Sequence, residues 1–256
     1  RRLSAASSAM GLLVVDRLQR SFGGVRAVDG VSFTLDADHF AALIGPNGAG
    51  KSTLFNLIDG QTAPDSGSVR YDGQPLAGLS TAQRTRRGIG RTFQVAQTFA
   101  TMTVLQNAQL ALTVAHGNAE RTVTALWNLH VDAARSLLLK VGLEARSDSA
   151  ASELAYGDLK RLELALALAT RPRLLLMDEP TAGMAPAERT ALMQLVAQLA
   201  RELSIAVLFT EHSMDVVFGF ARRVLVMSQG RLIADGAPDV VRDDPEVQRV
   251  YLGAEV

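Results

Sequence analysis

Gly45 to Thr53 read "GPNGAGKST", and this short run limits the chain more than any other stretch. It stands directly after "FAALI" and directly before "TLFNLI". A continuous aliphatic run bounded by glycine reads as a strand buried inside a parallel sheet, and the segment after the loop reads as a helix. The run matches glycine, any four residues, glycine, lysine and then serine or threonine. Placed between a strand and a helix, the backbone N–H groups of Gly45, Asn47, Gly48, Ala49, Gly50 and Thr53 can wrap phosphate oxygens. Gly48 and Gly50 tolerate positive φ and keep side chains out of the way. Lys51 offers a point charge to β- and γ-phosphates, Ser52 a hydroxyl to Mg²⁺, and the helix adds its positive dipole end. The loop therefore predicts a nucleoside triphosphate site in an α/β fold.

Such a site needs an acid at the end of a second buried strand, and "LLLMDEP" supplies one. Leu174 to Met177 are apolar and two carboxylates follow. Asp178 is placed to hold Mg²⁺, mostly through water. Glu179, just beyond the strand end, can orient and deprotonate an attacking water.

Bulk composition narrows the setting. The chain has 256 residues, long enough for one large domain or two small ones. Lys plus Arg number 26 and so do Asp plus Glu, so no overall basic field argues for nucleic acid as a partner. The chain has no cysteine, which excludes disulfides and thiol catalysis and fits a reducing compartment. No run reaches the roughly 18–20 apolar residues that span a bilayer. The run "MGLLVV" before Asp16 is too short for a secretory core, which needs about 7–15 residues. Residues 1–9 read as a loose leader with Met10 as a natural start, and the chain as a cytoplasmic protein.

Along the chain, "LLVV", "AVDGVSFTL" and "FAALIG" read as strands, and "STLFNLIDG" as a helix stopped by Gly60. "DSGSVRYDGQPL" carries turn signals around a short strand and suggests a small antiparallel layer. Residues 98 to 170 turn mostly helical, with "TVLQNAQLALTVA", "TVTALWNLHVDAARSLLLKVGL" and "LKRLELALALAT". Strands return with "RLLLMDEP", "IAVLFTEH" and "RRVLVMSQGRLIADG", the last folded back at Gln229-Gly230. An α/β core interrupted by a helical insert is the expectation.

The order of phosphate loop, helical insert, "LAYGDLKR", "LLLMDEP" and "TEHS" resembles the ATP-binding subunit of an ABC transporter from Leu12 onward. The resemblance implies a P-loop NTPase (RecA-like) core with an N-terminal antiparallel β subdomain and an inserted helical subdomain. The boundaries it implies are one domain over 10–256 with the insert at about 95–170. Phe22, in "RSFGGVRAV", falls where an aromatic stacks on adenine. Gln94, in "RTFQ", matches a glutamine that contacts the γ-phosphate and Mg²⁺. His212 matches a histidine that touches the γ-phosphate and acts with Glu179 in catalysis. Leu154 to Asp158 stand at a signature usually written L-S-G-G-Q, with Ala155 where a serine is expected. Within it, Ala155, Tyr156, Gly157 and Asp158 would face the nucleotide held by a partner subunit and offer it a helix N-terminus. Ala185 stands where an acid is usual, and Leu166 where an arginine is common.

"LAYG", "RTFQ", "EHSMDVV" and the chain end "VQRVYLG" are most similar to ATPase subunits of branched-chain (hydrophobic) amino-acid importers. The implied partners are membrane permease subunits, a second ATPase in a homo- or heterodimer, and indirectly an extracytoplasmic solute-binding protein. The implied cofactors are ATP and Mg²⁺, at the cytoplasmic face of the inner membrane. Rival readings are a urea or amide importer, a lipopolysaccharide exporter, a regulatory subunit without turnover, and a soluble ABC ATPase acting on DNA or ribosomes. The single phosphate loop, short insert and zero net charge count against the last.

Overall fold

Two sheets arise from two patterns of apolar residue. The computed structural model describes residues 11–92, 98–116 and 128–252. Strands β1 (Leu13–Phe22), β2 (Val25–Leu35), β4 (Ser66–Tyr71) and β5 (Gln74–Pro75) form an antiparallel sheet in the order β2-β1-β4-β5. Buried and exposed positions intermingle along them, as in a sheet with one face on the core and one in water. Strand β1 runs well past "LLVV". Arg17 adopts a left-handed φ of 44°, and the pairing with β2 and β4 shifts register there. That bulge lets the polar "DRLQRSF" continue the strand.

The second sheet takes the continuous apolar runs. Strands β3 (Phe40–Ile44), β7 (Leu174–Asp178) and β8 (Ala206–Thr210) are buried at every position. With β6 (Ile89–Thr92), β9 (Arg223–Ser228) and β10 (Arg231–Gly236) they give the order β10-β9-β3-β8-β7-β6. The pairs among β6, β7, β8, β3 and β9 are parallel, and β10 joins β9 antiparallel. Alternation within β3 divides its residues between two cores. Ala41 and Leu43 join Leu54, Phe55 and the first sheet, whereas Phe40, Ala42 and Ile44 face the helices on the other side. The sheet is thus covered on both faces, as a parallel sheet requires.

The helices are α1 (Lys51–Asp59), α2 (Thr81–Arg86), α3 (Val104–Ala115), α4 (Val131–Lys140) and α5 (Tyr156–Leu168). After them come α6 (Pro186–Glu202), α7 (Met214–Phe220), α8 (Pro238–Arg242) and α9 (Pro245–Leu252). Helix α1 ends on Gly60 in the left-handed region, as its sequence predicts. Helices α3, α4 and α5 pack on one another beside the sheet. The stretch "TVTALWNLHVDAARSLLLKVGL" is not one helix. Asn128 to His130 are non-helical, and His130, at a left-handed φ of 57°, starts α4 at Val131. Among the described residues, no helix is long and apolar enough to cross a membrane.

Candidate active site

Strand β3 lies between β8 and β9, so the loop that follows it opens beyond the carboxyl ends of parallel strands, where open α/β sheets hold ligands. Gly48 and Gly50 have φ of 79° and 103°. A side chain on Gly50 would also run into the carbonyl of Ala27, so glycine is required there twice over. The loop is fastened by Ala49 N–H donating to Pro46 O (3.1 Å) and by Gly230 N–H donating to Ala49 O (3.0 Å). Gly50 caps α1 without any side-chain acceptor, which leaves the first-turn N–H groups for an anion.

Lys51 is buried, and its Nζ donates to Gly45 O at 2.7 Å and Pro46 O at 3.2 Å. Burial pushes its pKa down, and the charges of Glu179 and Asp178 pull it part of the way back. The ammonium thus rests on two neutral carbonyls, which triphosphate oxygens can replace with much stronger acceptors. Ser52 is exposed beside it. Residues 47–53, Ala27 and Glu179 line one cleft of ≈ 210 Å³. A larger cleft, ≈ 860 Å³, lies between Phe40, α6 and α7 and has no glycine loop in its wall, so size does not locate the chemistry.

The acid strand delivers its two carboxylates to different surroundings. Asp178 is buried, with Oδ1 accepting from Thr210 Oγ1 at 2.8 Å and Oδ2 from Arg91 Nη2 at 3.2 Å. Arg91 Nη1 reaches Asp59 Oδ2 at 2.5 Å and Asn56 Oδ1 at 2.8 Å, so one guanidinium holds the acid strand to α1. Glu179 leaves the strand at a left-handed φ of 47°, a costly conformation for a non-glycine residue. Its N–H donates to Thr210 Oγ1 at 2.9 Å, which helps fix that geometry. Its Oε1 lies 2.8 Å from His212 Nε2.

Of the residues singled out from sequence, the loop, Asp178, Glu179 and His212 come together. Phe22 ends β1, is 47% exposed, and has the Arg20 guanidinium 4.7 Å from its ring centre. It pairs with Val25, two residues from Ala27 in the cleft wall. Gln94 lies outside the described residues. Ala155 caps α5 without a side-chain hydrogen bond, Gly157 and Asp158 are half-buried, and none of Ala155 to Asp158 lines this chain's own phosphate cleft. A Cβ added to Gly157 would meet nothing nearer than 3.7 Å, so no crowding within the chain calls for glycine there. Ala185 caps α6, where its N–H donates to Glu188 Oε2 at 3.3 Å, half of a capping box.

Sequence reasoning passed over Arg91, Thr210 and Glu211. They lie in "GIGRTF" and "FTEHS", stretches read only for their glutamine and histidine. A buried strand that carries a charge or a hydroxyl at its carboxyl end was the available signal.

Residues 28–182 match the family model described as ABC transporter. The chain belongs to the ABC transporter ATP-binding family. Residues 231–256 match a second model, described as branched-chain amino acid ATP-binding cassette transporter. The chain is 37% identical to the high-affinity branched-chain amino acid transport ATP-binding protein BraF of Pseudomonas aeruginosa, covering 94% of this chain and 98% of that one. It is 38% identical to LivG of Escherichia coli, of the same description, with the same coverage. It is 33% identical to the lipopolysaccharide export system ATP-binding protein LptB of Escherichia coli, covering 96% and 99%. A nucleotide-free ATP-binding cassette from an ABC transporter superposes with a TM-score of 0.83 at 31% identity, covering 96% of this chain and all of that one. The ADP conformation of an ATP-binding cassette of an ABC transporter gives 0.83 at 32%. The fold is therefore that of a P-loop NTPase, and the chain is an ATP-binding ATPase subunit.

Proposed function

We propose that this chain is the energising subunit of an importer of branched-chain amino acids. It sits at the cytoplasmic face of the membrane against permease subunits, paired with a second ATPase and served by an extracytoplasmic solute-binding protein. The observation that carries the catalytic part is the shared cleft of Lys51 and Glu179, with Glu179 held against His212. Lys51 and the loop amides bind the triphosphate. Glu179, raised out of the strand and oriented by Thr210 and His212, takes the proton of the attacking water. His212 holds that carboxylate and meets the γ-phosphate. Phe22 stacks on adenine, and Gln94 reports on the γ-phosphate to the helical insert over about 95–170.

The Ser52 hydroxyl and the Asp178 carboxylate are hard oxygen donors, which suits Mg²⁺. Both Asp178 oxygens already hold hydrogen bonds, which favours contact through water. When bound, the ion neutralises charge on the phosphates. Ala155 to Asp158 and Ala185 face the nucleotide and the loop of the partner ATPase. The N-terminal end of α5 supplies N–H groups there, with the serine hydroxyl of the usual signature missing.

Support for the cargo is kinship with BraF and LivG. The test is to tag the chain in its own cell, solubilise the membranes gently, and identify what co-purifies. Two polytopic permeases and a similar ATPase, with ATP-dependent leucine uptake lost on deletion, are the expected result. A lipopolysaccharide export complex, or a soluble pool on ribosomes or DNA, would overturn the import reading and leave the ATP site standing.

A further inference from the structure

Glu211 stands between Thr210 and His212 and is 4% exposed. A carboxylate that deep needs donors on both oxygens. Its Oε1 accepts from the Thr181 N–H at 2.9 Å and from Thr181 Oγ1 at 2.6 Å, and its Oε2 accepts from the His212 N–H at 3.2 Å. Thr181 belongs to the loop that carries Glu179, whereas His212 belongs to the loop after β8. One buried anion therefore fastens the two loops whose side chains meet at the Glu179–His212 contact. A second tie runs alongside it, since Arg189 donates to Met184 O at 2.7 Å and to Ser213 Oγ at 3.1 Å.

The chain of contacts continues outward. Tyr156, the first residue of α5, donates its hydroxyl to Ala182 O at 3.0 Å, next to Thr181. Its ring also borders Gly183. The end of α5 that faces a partner's nucleotide is thus tied, through Ala182, Thr181 and Glu211, to the pair that faces this chain's own.

We propose that Glu211 is a positioning residue for hydrolysis, and that the Tyr156–Ala182 bond and Thr181 connect the amino-terminal end of α5 to the Glu179–His212 pair through it. The inference rests on the roles given above to Glu179 and His212. Glu211 acts through the protein groups that it accepts from, Thr181 and the His212 N–H. It sets where the His212 backbone lies, and so where Nε2 meets Glu179. The three donors around it use both oxygens of a carboxylate. An amide offers one acceptor and one donor, so Glu211→Gln must leave at least one of them facing an N–H.

The experiment measures ATP turnover and ATP affinity in the chain assembled with the partners it co-purifies with. The variants are Glu211→Gln, His212→Ala, Glu179→Gln, Tyr156→Phe and the doubles of Glu211→Gln with His212→Ala and Tyr156→Phe. Losing a hydrogen bond to a buried anion predicts that Glu211→Gln lowers kcat about 10–100-fold, with the KM for ATP within about 2-fold. It predicts no further loss when Glu211→Gln is added to His212→Ala. Tyr156→Phe should lower kcat about 2–10-fold in the native background and leave Glu211→Gln unchanged. Amide exchange at Thr181 and His212 should quicken in Glu211→Gln whatever the turnover. Native kcat in Glu211→Gln, or effects that multiply in either double, would overturn the proposal. Full turnover in Glu179→Gln would instead overturn the catalytic reading beneath it. If Glu211→Gln fails to fold, Thr181→Val removes one donor and keeps the carboxylate, and native kcat in that variant would overturn the proposal equally.

Discussion

Lys51 illustrates how a single residue can be held in a state that its neighbours relieve only in part. Its ammonium is buried against two backbone carbonyls, and burial alone pushes its pKa down. Replacing it by methionine removes a desolvated charge and keeps most of the stem. Lys51→Met is therefore expected to melt no lower than the native chain in the absence of nucleotide, while ATP affinity falls by at least about 10-fold. Calorimetric melting and a nucleotide titration on the same preparation check both halves. Arg91 behaves oppositely, because its guanidinium is shared by Asp59, Asp178 and Asn56. Removing it would take the counter-charge from two buried carboxylates, so its position at the end of β6 is structural as much as functional.

At the scale of elements, the start of α5 is the instructive case. Thr103 and Ser80 each cap their helices through a side-chain oxygen, with Gln106 and Gln83 returning the bond. Ala155 has no such atom, so α5 begins with its orphan donors unclaimed by a cap. Ala155→Ser should raise stability by about 0.5–2 kcal/mol, read as a higher denaturant midpoint at unchanged slope. An unchanged midpoint would mean that those N–H groups already have partners. The Gly60 stop of α1, the buried strands and the glycine loop were legible in the sequence because each follows from local chemistry. The break at His130 was not, since its contacts with α3, where Gln109 donates to Leu129 O and the His116 and His130 rings stack, are ones that no periodicity records. The roles of Thr210 and Glu211 were hidden for a related reason. Their distant partners, Asp178, Glu179 and Thr181, lie some 30 residues away along the chain, at the end of β7 and in the loop after it, and become neighbours only when the sheet forms.

At the scale of the molecule, the six-stranded sheet serves two cores and one edge of chemistry. Its faces are spent on packing against the antiparallel sheet and the helices. Its carboxyl edge gathers the phosphate loop from β3, the acids from β7 and the histidine loop from β8. The end of α5 lies apart from that cleft, which suits the proposed role of meeting a nucleotide held by a second subunit. The account depends most on Glu179 acting as the base. The direct measurement is ATP affinity and steady-state hydrolysis, side by side, for the native chain and Glu179→Gln in the assembled complex. The account predicts unchanged affinity with hydrolysis reduced by about 10²–10⁴-fold. Near-native hydrolysis in Glu179→Gln would contradict it.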